Sequence, residues 1–169
     1  RVHTCCAAVP GCWHIMGVVQ SAGLSLKWFR DNFCQAEKDT AALMGVDPYY
    51  LMDKEAETVP IGANRLLYLP YLMGERSPLN DTDVRGMFYG MSLDTDKDDM
   101  SLAVLEGVAF ALRHNIDIIR NMGIDIRKSN VCGGGTKNKL WLKIIANVLG
   151  IELMIPENQE GASLGAALL

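Results

Sequence analysis

Ser129-Asn130-Val131-Cys132-Gly133-Gly134-Gly135-Thr136-Lys137-Asn138 leads into a helical pattern that runs to Leu149, then Gly150 and the apolar run Ile151 to Ile155. A short apolar run, a glycine turn, a helical period, a glycine stop and a second apolar run read as strand, turn, helix, strand. A further helix is expected from Ser163. Glycine has no Cβ, so the backbone of Gly133, Gly134 and Gly135 can take positive φ and lie flat against a ligand. A glycine turn that opens a helix also aims free N–H groups and the positive end of the helix dipole at one point. That geometry suits a nucleotide; a plain strand-to-helix turn would use the same residues.

Working outward, Val2 to Val9 and Trp13 to Gln20 are strand-like runs joined by Pro10-Gly11-Cys12, which predicts a hairpin. Ser21 is placed to cap a helix carrying Leu24, Leu26, Trp28, Phe29 and Phe33. Ala36 to Met44 reads as a short helix stopped by Gly45, and Asp47-Pro48 marks the start of another that ends before Val59-Pro60. Leu66 to Leu72 reads as a short strand, limited by Pro70, and Gly86 to Ser92 as a second. Acidic residues from Asp94 to Asp99 precede a long helix from about Asp99 to Met122, with Leu102, Leu105, Ala109, Leu112, Ile116 and Ile119 as its core stripe and Gly123 as its stop. An antiparallel opening hairpin with later strands alternating with helices predicts an α/β architecture, a mixed sheet with helices packed on it.

The 169 residues fit a single domain with a sizeable core, 49% hydrophobic and 21% charged. A net charge of −4 without a basic cluster argues against a nucleic-acid partner. No apolar stretch is long enough to span a bilayer, so no membrane role is expected. Five cysteines, Cys5, Cys6, Cys12, Cys34 and Cys132, show no C-x-x-C spacing and point to neither a disulfide framework nor a metal site. Reduced thiols suit a cytoplasmic location. The chain starts at Arg1 within an extended segment and stops at Leu169 within an apolar run, which reads as truncation at both ends of a longer polypeptide.

The candidate ligand residues gather around two glycine positions. Asn138, three residues after Gly135, is expected in the first helical turn with its carboxamide leaning back toward the glycines, where it would meet a base edge or a ribose. Gly23 and Lys27 lie one helical turn apart. A glycine inside a helix costs about 1 kcal/mol relative to alanine, which asks for a reason such as close approach of a ligand or another helix. Lys27 on the same face could meet a phosphate or ribose, or stand in solvent. The loop Gly74-Glu75-Arg76-Ser77-Pro78 reads as an active-site rim or a solvent loop. Glu106 falls in an apolar stretch and is expected to be buried and structural, bonded to a loop such as Gly86–Gly90. No Ser/His/Asp or Cys/His arrangement occurs, and no carboxylate is set up by a motif as a general base.

Four segments together carry a family resemblance. Gly86-Met87-Phe88-Tyr89-Gly90-Met91, seven residues, then Asp99-Met100-Ser101-Leu102-Ala103-Val104-Leu105-Glu106 resembles the C-terminal signature of the FGGY carbohydrate kinases. Leu69 to Pro78 resembles the loop ahead of that signature, Gly133 to Trp141 the adenosine motif, and Gly161 to Leu169 the closing helix. Among its subfamilies the likeness is strongest to the xylulokinases, with gluconokinases, ribulokinases and glycerol kinases behind. The resemblance implies the second lobe of an actin/hexokinase-like ATPase fold with an RNase H-like core. It further implies ATP with Mg²⁺ in a cleft between two lobes, and a pentulose or related sugar as phosphoryl acceptor. By motif, Gly133, Gly134, Gly135 and Asn138 would hold the nucleotide, joined by Gly23 and Lys27; relatives often carry another residue at the Lys27 position. The family's catalytic aspartate and phosphate-gripping loop have no counterpart here, so the resemblance implies no catalytic residue in this chain and a missing N-terminal lobe as its partner. A nucleotide-binding module without chemistry and a structural domain that forms a homodimer are the alternatives.

Overall fold

The computed structural model describes residues 2–157 and 161–168. Arg1 and Leu169, where the sequence reads as cut, lie outside the described residues. Antiparallel strands β1 (His3–Cys6) and β2 (Trp13–Met16) form the expected hairpin, with His3 opposite Met16 and Cys6 opposite Trp13. Three helices follow. α1 (Ala22–Phe33) is preceded by Ser21, whose hydroxyl makes no cap bond. α2 (Gln35–Met44) stops at Gly45 in the left-handed conformation. α3 (Pro48–Ala56) has proline in its first turn, and the Asp47 carboxylate accepts the Tyr49 N–H.

β3 (Leu67–Leu69) pairs antiparallel with β4 (Met87–Tyr89), while β5 (Lys128–Asn130) pairs in parallel with β6 (Glu152–Met154). The mixture of antiparallel and parallel strands is therefore as expected. It is laid out as three two-stranded ladders among the described residues. α5 (Lys139–Leu149) connects β5 to β6, and α6 (Gly161–Leu168) follows.

The core is built around α4 (Lys97–Asn121). Its start is set by a capping box: the Asp96 side chain accepts the Asp98 and Asp99 N–H groups, and the Asp99 carboxylate accepts the Asp96 N–H in return. Every residue from Ser101 to Ala109 is buried, so this half of α4 is covered all round and not along one stripe. Phe29 and Leu26 of α1, Met52 of α3, Tyr68 of β3 and Trp141 of α5 converge on it. Trp141 sends its indole N–H to the Leu105 carbonyl at 3.2 Å, which satisfies its one polar atom inside the core. β3 crosses α4 at Gly107, where an added Cβ would stand 2.2 Å from the Tyr68 carbonyl oxygen. Only glycine admits so close a crossing.

Two expectations about loops are corrected. Glu106 is buried and structural, but the N–H it accepts belongs to Gly62, at 2.9 Å, and not to the Gly86–Gly90 segment. The partner is available because Gly62, Ala63, Asn64 and Arg65 form one left-handed turn, with φ of 89°, 44°, 50° and 73°, that projects the Gly62 N–H at α4. Burial raises the Glu106 carboxyl above its ordinary value, and the Gly62 bond pulls it back. The loop Gly74 to Pro78 is neither rim nor solvent loop at its centre. Glu75 and Ser77 are buried, the Glu75 carboxylate accepts the Gln20 and Arg76 N–H groups, and the Ser77 N–H bonds the Val18 carbonyl. That loop anchors the chain between β2 and α1.

Candidate adenosine platform

The glycine turn follows β5 directly. Gly133 has φ 90° and ψ −177°, a conformation open to glycine alone, and Gly134–Lys137 then make a single 3₁₀ turn. Gly133 and Gly134 are exposed, and an added Cβ at either would meet nothing within 4 Å. Gly135 rests on the Trp141 ring, 3.1 Å from an added Cβ, so the core tryptophan supports the turn from beneath. The 3₁₀ turn closes with the Thr136 N–H on the Gly133 carbonyl and the Asn138 N–H on the Gly135 carbonyl. The N–H groups of Gly134 and Gly135 precede the first closed turn and have no acceptor within it.

That extra turn moves the start of α5 and changes what Asn138 does. Asn138 is the residue before the helix, and its Oδ1 accepts the Trp141 N–H at 2.7 Å. Its Nδ2 donates to Asp53 Oδ1 at 2.6 Å. The expectation of a first-turn carboxamide leaning back on the glycines is thus corrected. The side chain caps the helix and reaches across to α3. At 7% exposure it presents only an edge to solvent.

Asp53 was not singled out from the sequence, and no local pattern could have found it, since 85 residues separate it from Asn138. Burial is the main cause that pushes its carboxyl up to about 6, with Glu57 and Asp47 raising it further and the Asn138 bond and Lys54 opposing. Tyr49 lies one turn before Asp53 on α3, and the Arg30 guanidinium of α1 sits 4.8 Å from the Tyr49 ring centroid. α3 therefore braces the glycine turn on one side and α1 on the other. Gly23 and Lys27 stand on the exposed surface of α1, Lys27 one residue position short of a turn from Arg30. An added Cβ at Gly23 would meet nothing within 4 Å, so no packing against another helix explains the glycine.

None of these six residues lines the cavity of about 710 Å³ between α4 and α5, which is walled by Val59, Gly62, Glu106, Phe110, Leu140 and Ile144 among others. Among the described residues no group of three His, Cys, Asp or Glu side chains is placed to hold a metal ion. No helix among them is long and apolar enough to cross a membrane.

Residues 2–169 match the model of the FGGY family of carbohydrate kinases, C-terminal domain. The chain is 37% identical over 169 residues to a xylulose kinase of Staphylococcus xylosus, covering 100% of this chain and 33% of that protein. It is 36% identical over 167 residues to a gluconokinase of Bacillus licheniformis, covering 98% and 32%. The crystal structure of xylulose kinase from Rhodospirillum rubrum superposes with a TM-score of 0.78 at 28% identity, over 98% of this chain and 33% of that one. The chain thus spans about a third of the length of the curated relatives it matches. Its fold is that of the sugar kinases of the actin/hexokinase-like ATPase class, helices packed on sheet. With the glycine turn, the α4 signature and the buried Glu75 loop lying in one matched stretch, the chain belongs to the FGGY family of carbohydrate kinases, as its C-terminal domain.

Proposed function

We propose that this chain is the adenosine-holding C-terminal lobe of an ATP-dependent sugar kinase, a single domain over residues 1–169. The observation that carries the reading is the exposed glycine turn ahead of α5, braced through Asn138 and α3 toward an α1 surface that is open at Gly23. On this reading Gly133, Gly134 and Gly135 lie against the ribose and base. Gly23 allows close approach from α1, Lys27 meets ribose or phosphate, and Asn138 fixes the edge of the platform. The exposed backbone of Gly133 and Gly134 fits a flat ligand, since nothing occupies the space a side chain would take.

In the complete enzyme the γ-phosphoryl of ATP would pass to a sugar hydroxyl. Positioning by the two lobes would supply most of the rate, and a base outside this chain would take the hydroxyl proton. Mg²⁺ would arrive with the phosphates and neutralise their charge; no residue described here is assigned to it. The acceptor we favour is D-xylulose, giving xylulose 5-phosphate. D-gluconate is the second reading, favoured by gluconokinase relatives of equal similarity. The partner is an N-terminal lobe of the same polypeptide.

Titration calorimetry of the chain with ADP tests the platform. A half-cleft should bind in about the millimolar range, and Asn138→Ala should weaken it. Absence of saturable binding would refute the nucleotide reading. The chain alone is expected to turn over neither sugar; assay of the complete polypeptide with D-xylulose against D-gluconate assigns the acceptor.

A further inference from the structure

Asp53 carries an inference that rests on the nucleotide reading above and goes one step further. The carboxamide of Asn138 has a determined orientation. Trp141 N–H is a donor, so the atom it meets at 2.7 Å is the amide oxygen, and the amide nitrogen faces α3. One of its two N–H bonds holds Asp53 Oδ1 at 2.6 Å. Asp53 Oδ2 makes no hydrogen bond among the described residues, and it is not among the side-chain atoms sealed from solvent. The carboxyl at about 6 is ionised at pH 7.5 and is there a pure acceptor. Beside the glycine turn the protein thus holds a fixed acceptor next to a fixed amide donor.

A 6-aminopurine offers the matching pair, an exocyclic N–H₂ donor beside a ring-nitrogen acceptor. We propose that Asp53 and Asn138 together read the 6-amino edge of the base, so that Asp53 Oδ2 accepts from the exocyclic amine, Asn138 donates to the ring nitrogen, and adenine is selected over guanine. A 6-oxopurine in the same register sets its O6 against the carboxylate, acceptor facing acceptor, with no proton between them. A site built around one hydrogen-bonding pattern rejects its opposite because both partners are then left unpaired. Asn138 has two roles in this arrangement: it clamps Asp53 and supplies the second contact.

The test is a ligand-observed NMR titration at pH 7.5 with three probes: ADP, GDP, and the diphosphate of purine riboside, which lacks the 6-amino group. The unaltered chain should bind ADP about tenfold more tightly than either other probe, the yield of one good edge contact. Asp53→Ala should remove the advantage of ADP over the purine riboside diphosphate and leave the affinity for the latter in place. Asp53→Asn keeps an oxygen for Asn138 but turns a donor toward the base, so it should remove the preference for ADP over GDP while the chain stays folded. If Asp53→Ala weakens both purine probes equally, Asp53 only supports the scaffold and the inference fails. Preference for GDP in the unaltered chain, or an ADP preference that survives both variants, also overturns it while the nucleotide reading stands. No binding of any probe to the unaltered chain overturns both.

Discussion

Replacing Gly23 by alanine separates the two explanations of that glycine. Gly23 is the second residue of α1, within helical backbone, and the space where a methyl would stand is empty to 4 Å. The substitution therefore introduces no clash and removes the entropic cost of glycine in a helix. The full interior value is about 1 kcal/mol, and near the first turn about 0.5–1 kcal/mol is expected. For a chain of this size that raises Tm by about 2–3 °C. If the α1 surface approaches the nucleotide as proposed, the same methyl intrudes on the ligand, and ADP affinity should fall about tenfold. Thermal melting and ADP titration on one preparation give both numbers. A gain in stability with unchanged ADP affinity would remove α1 from the platform. A loss of stability would refute the open geometry at Gly23. The combination of higher stability and weaker binding is the signature of a residue kept for function at a cost to the fold.

Three further outcomes follow from the packing. Asp53 is half-buried with its carboxyl raised to about 6, so the folded chain holds its proton more tightly than the unfolded chain does. Stability on this account falls as pH rises from about 4 to 6, and the loss is complete above that window. The full shift corresponds to about 3 kcal/mol, reduced by solvent screening to roughly 1–2 kcal/mol. Asp53→Asn should stabilise by that amount in urea melts at pH 7.5 and by almost nothing at pH 4; an equal gain at both would refute the burial argument. Gly107→Ala forces Tyr68 and α4 apart from a 2.2 Å contact and should destabilise by about 3 kcal/mol or more in the same melts. Arg65→Gly relieves a non-glycine residue at φ 73°, worth about 1–2 kcal/mol, against about 0.4–1 kcal/mol of added unfolded-chain entropy. A net gain of roughly 0.5–1 kcal/mol is expected, measured by urea midpoint at constant m-value.

The elements that sequence reading recovered are those whose ends carry local chemistry. Gly45 stops α2 and Gly150 stops α5 in left-handed conformations. Asp47-Pro48 starts α3, and the acids before α4 form its capping box, although the helix begins at Lys97, two residues before the expected Asp99. The misses share a different cause. Gly62 to Arg65 is a left-handed turn containing three consecutive residues other than glycine, which propensity argues against. It is held in place by α4, through Glu106 on Gly62 and through Asn64 donating to Asp99. Glu75 lies in a stretch rich in charge and turn formers, yet its carboxylate is buried because the backbone N–H groups of Gln20 and Arg76 meet it there. In each case a partner distant in the sequence overrides the local signal.

Asn138 shows how the same limit bears on function. Its position after the glycines was legible, and its chemistry was not, because one 3₁₀ turn inserted before α5 changes a first-turn residue into a cap. The consequence extends beyond one side chain. A carboxamide leaning on the glycines would belong to the β5–α5 unit alone. A carboxamide that caps α5 and also grips Asp53 ties that unit to α3, and Arg30 over Tyr49 ties α3 to α1. On the proposed reading, both sides of the adenosine platform are then set by one continuous chain of contacts made within this lobe. A platform organised before the nucleotide arrives spends little binding energy on ordering itself, and more of that energy remains for positioning the phosphates. The lobe's share in phosphoryl transfer would therefore be exerted through placement of ATP, even with no catalytic group of its own.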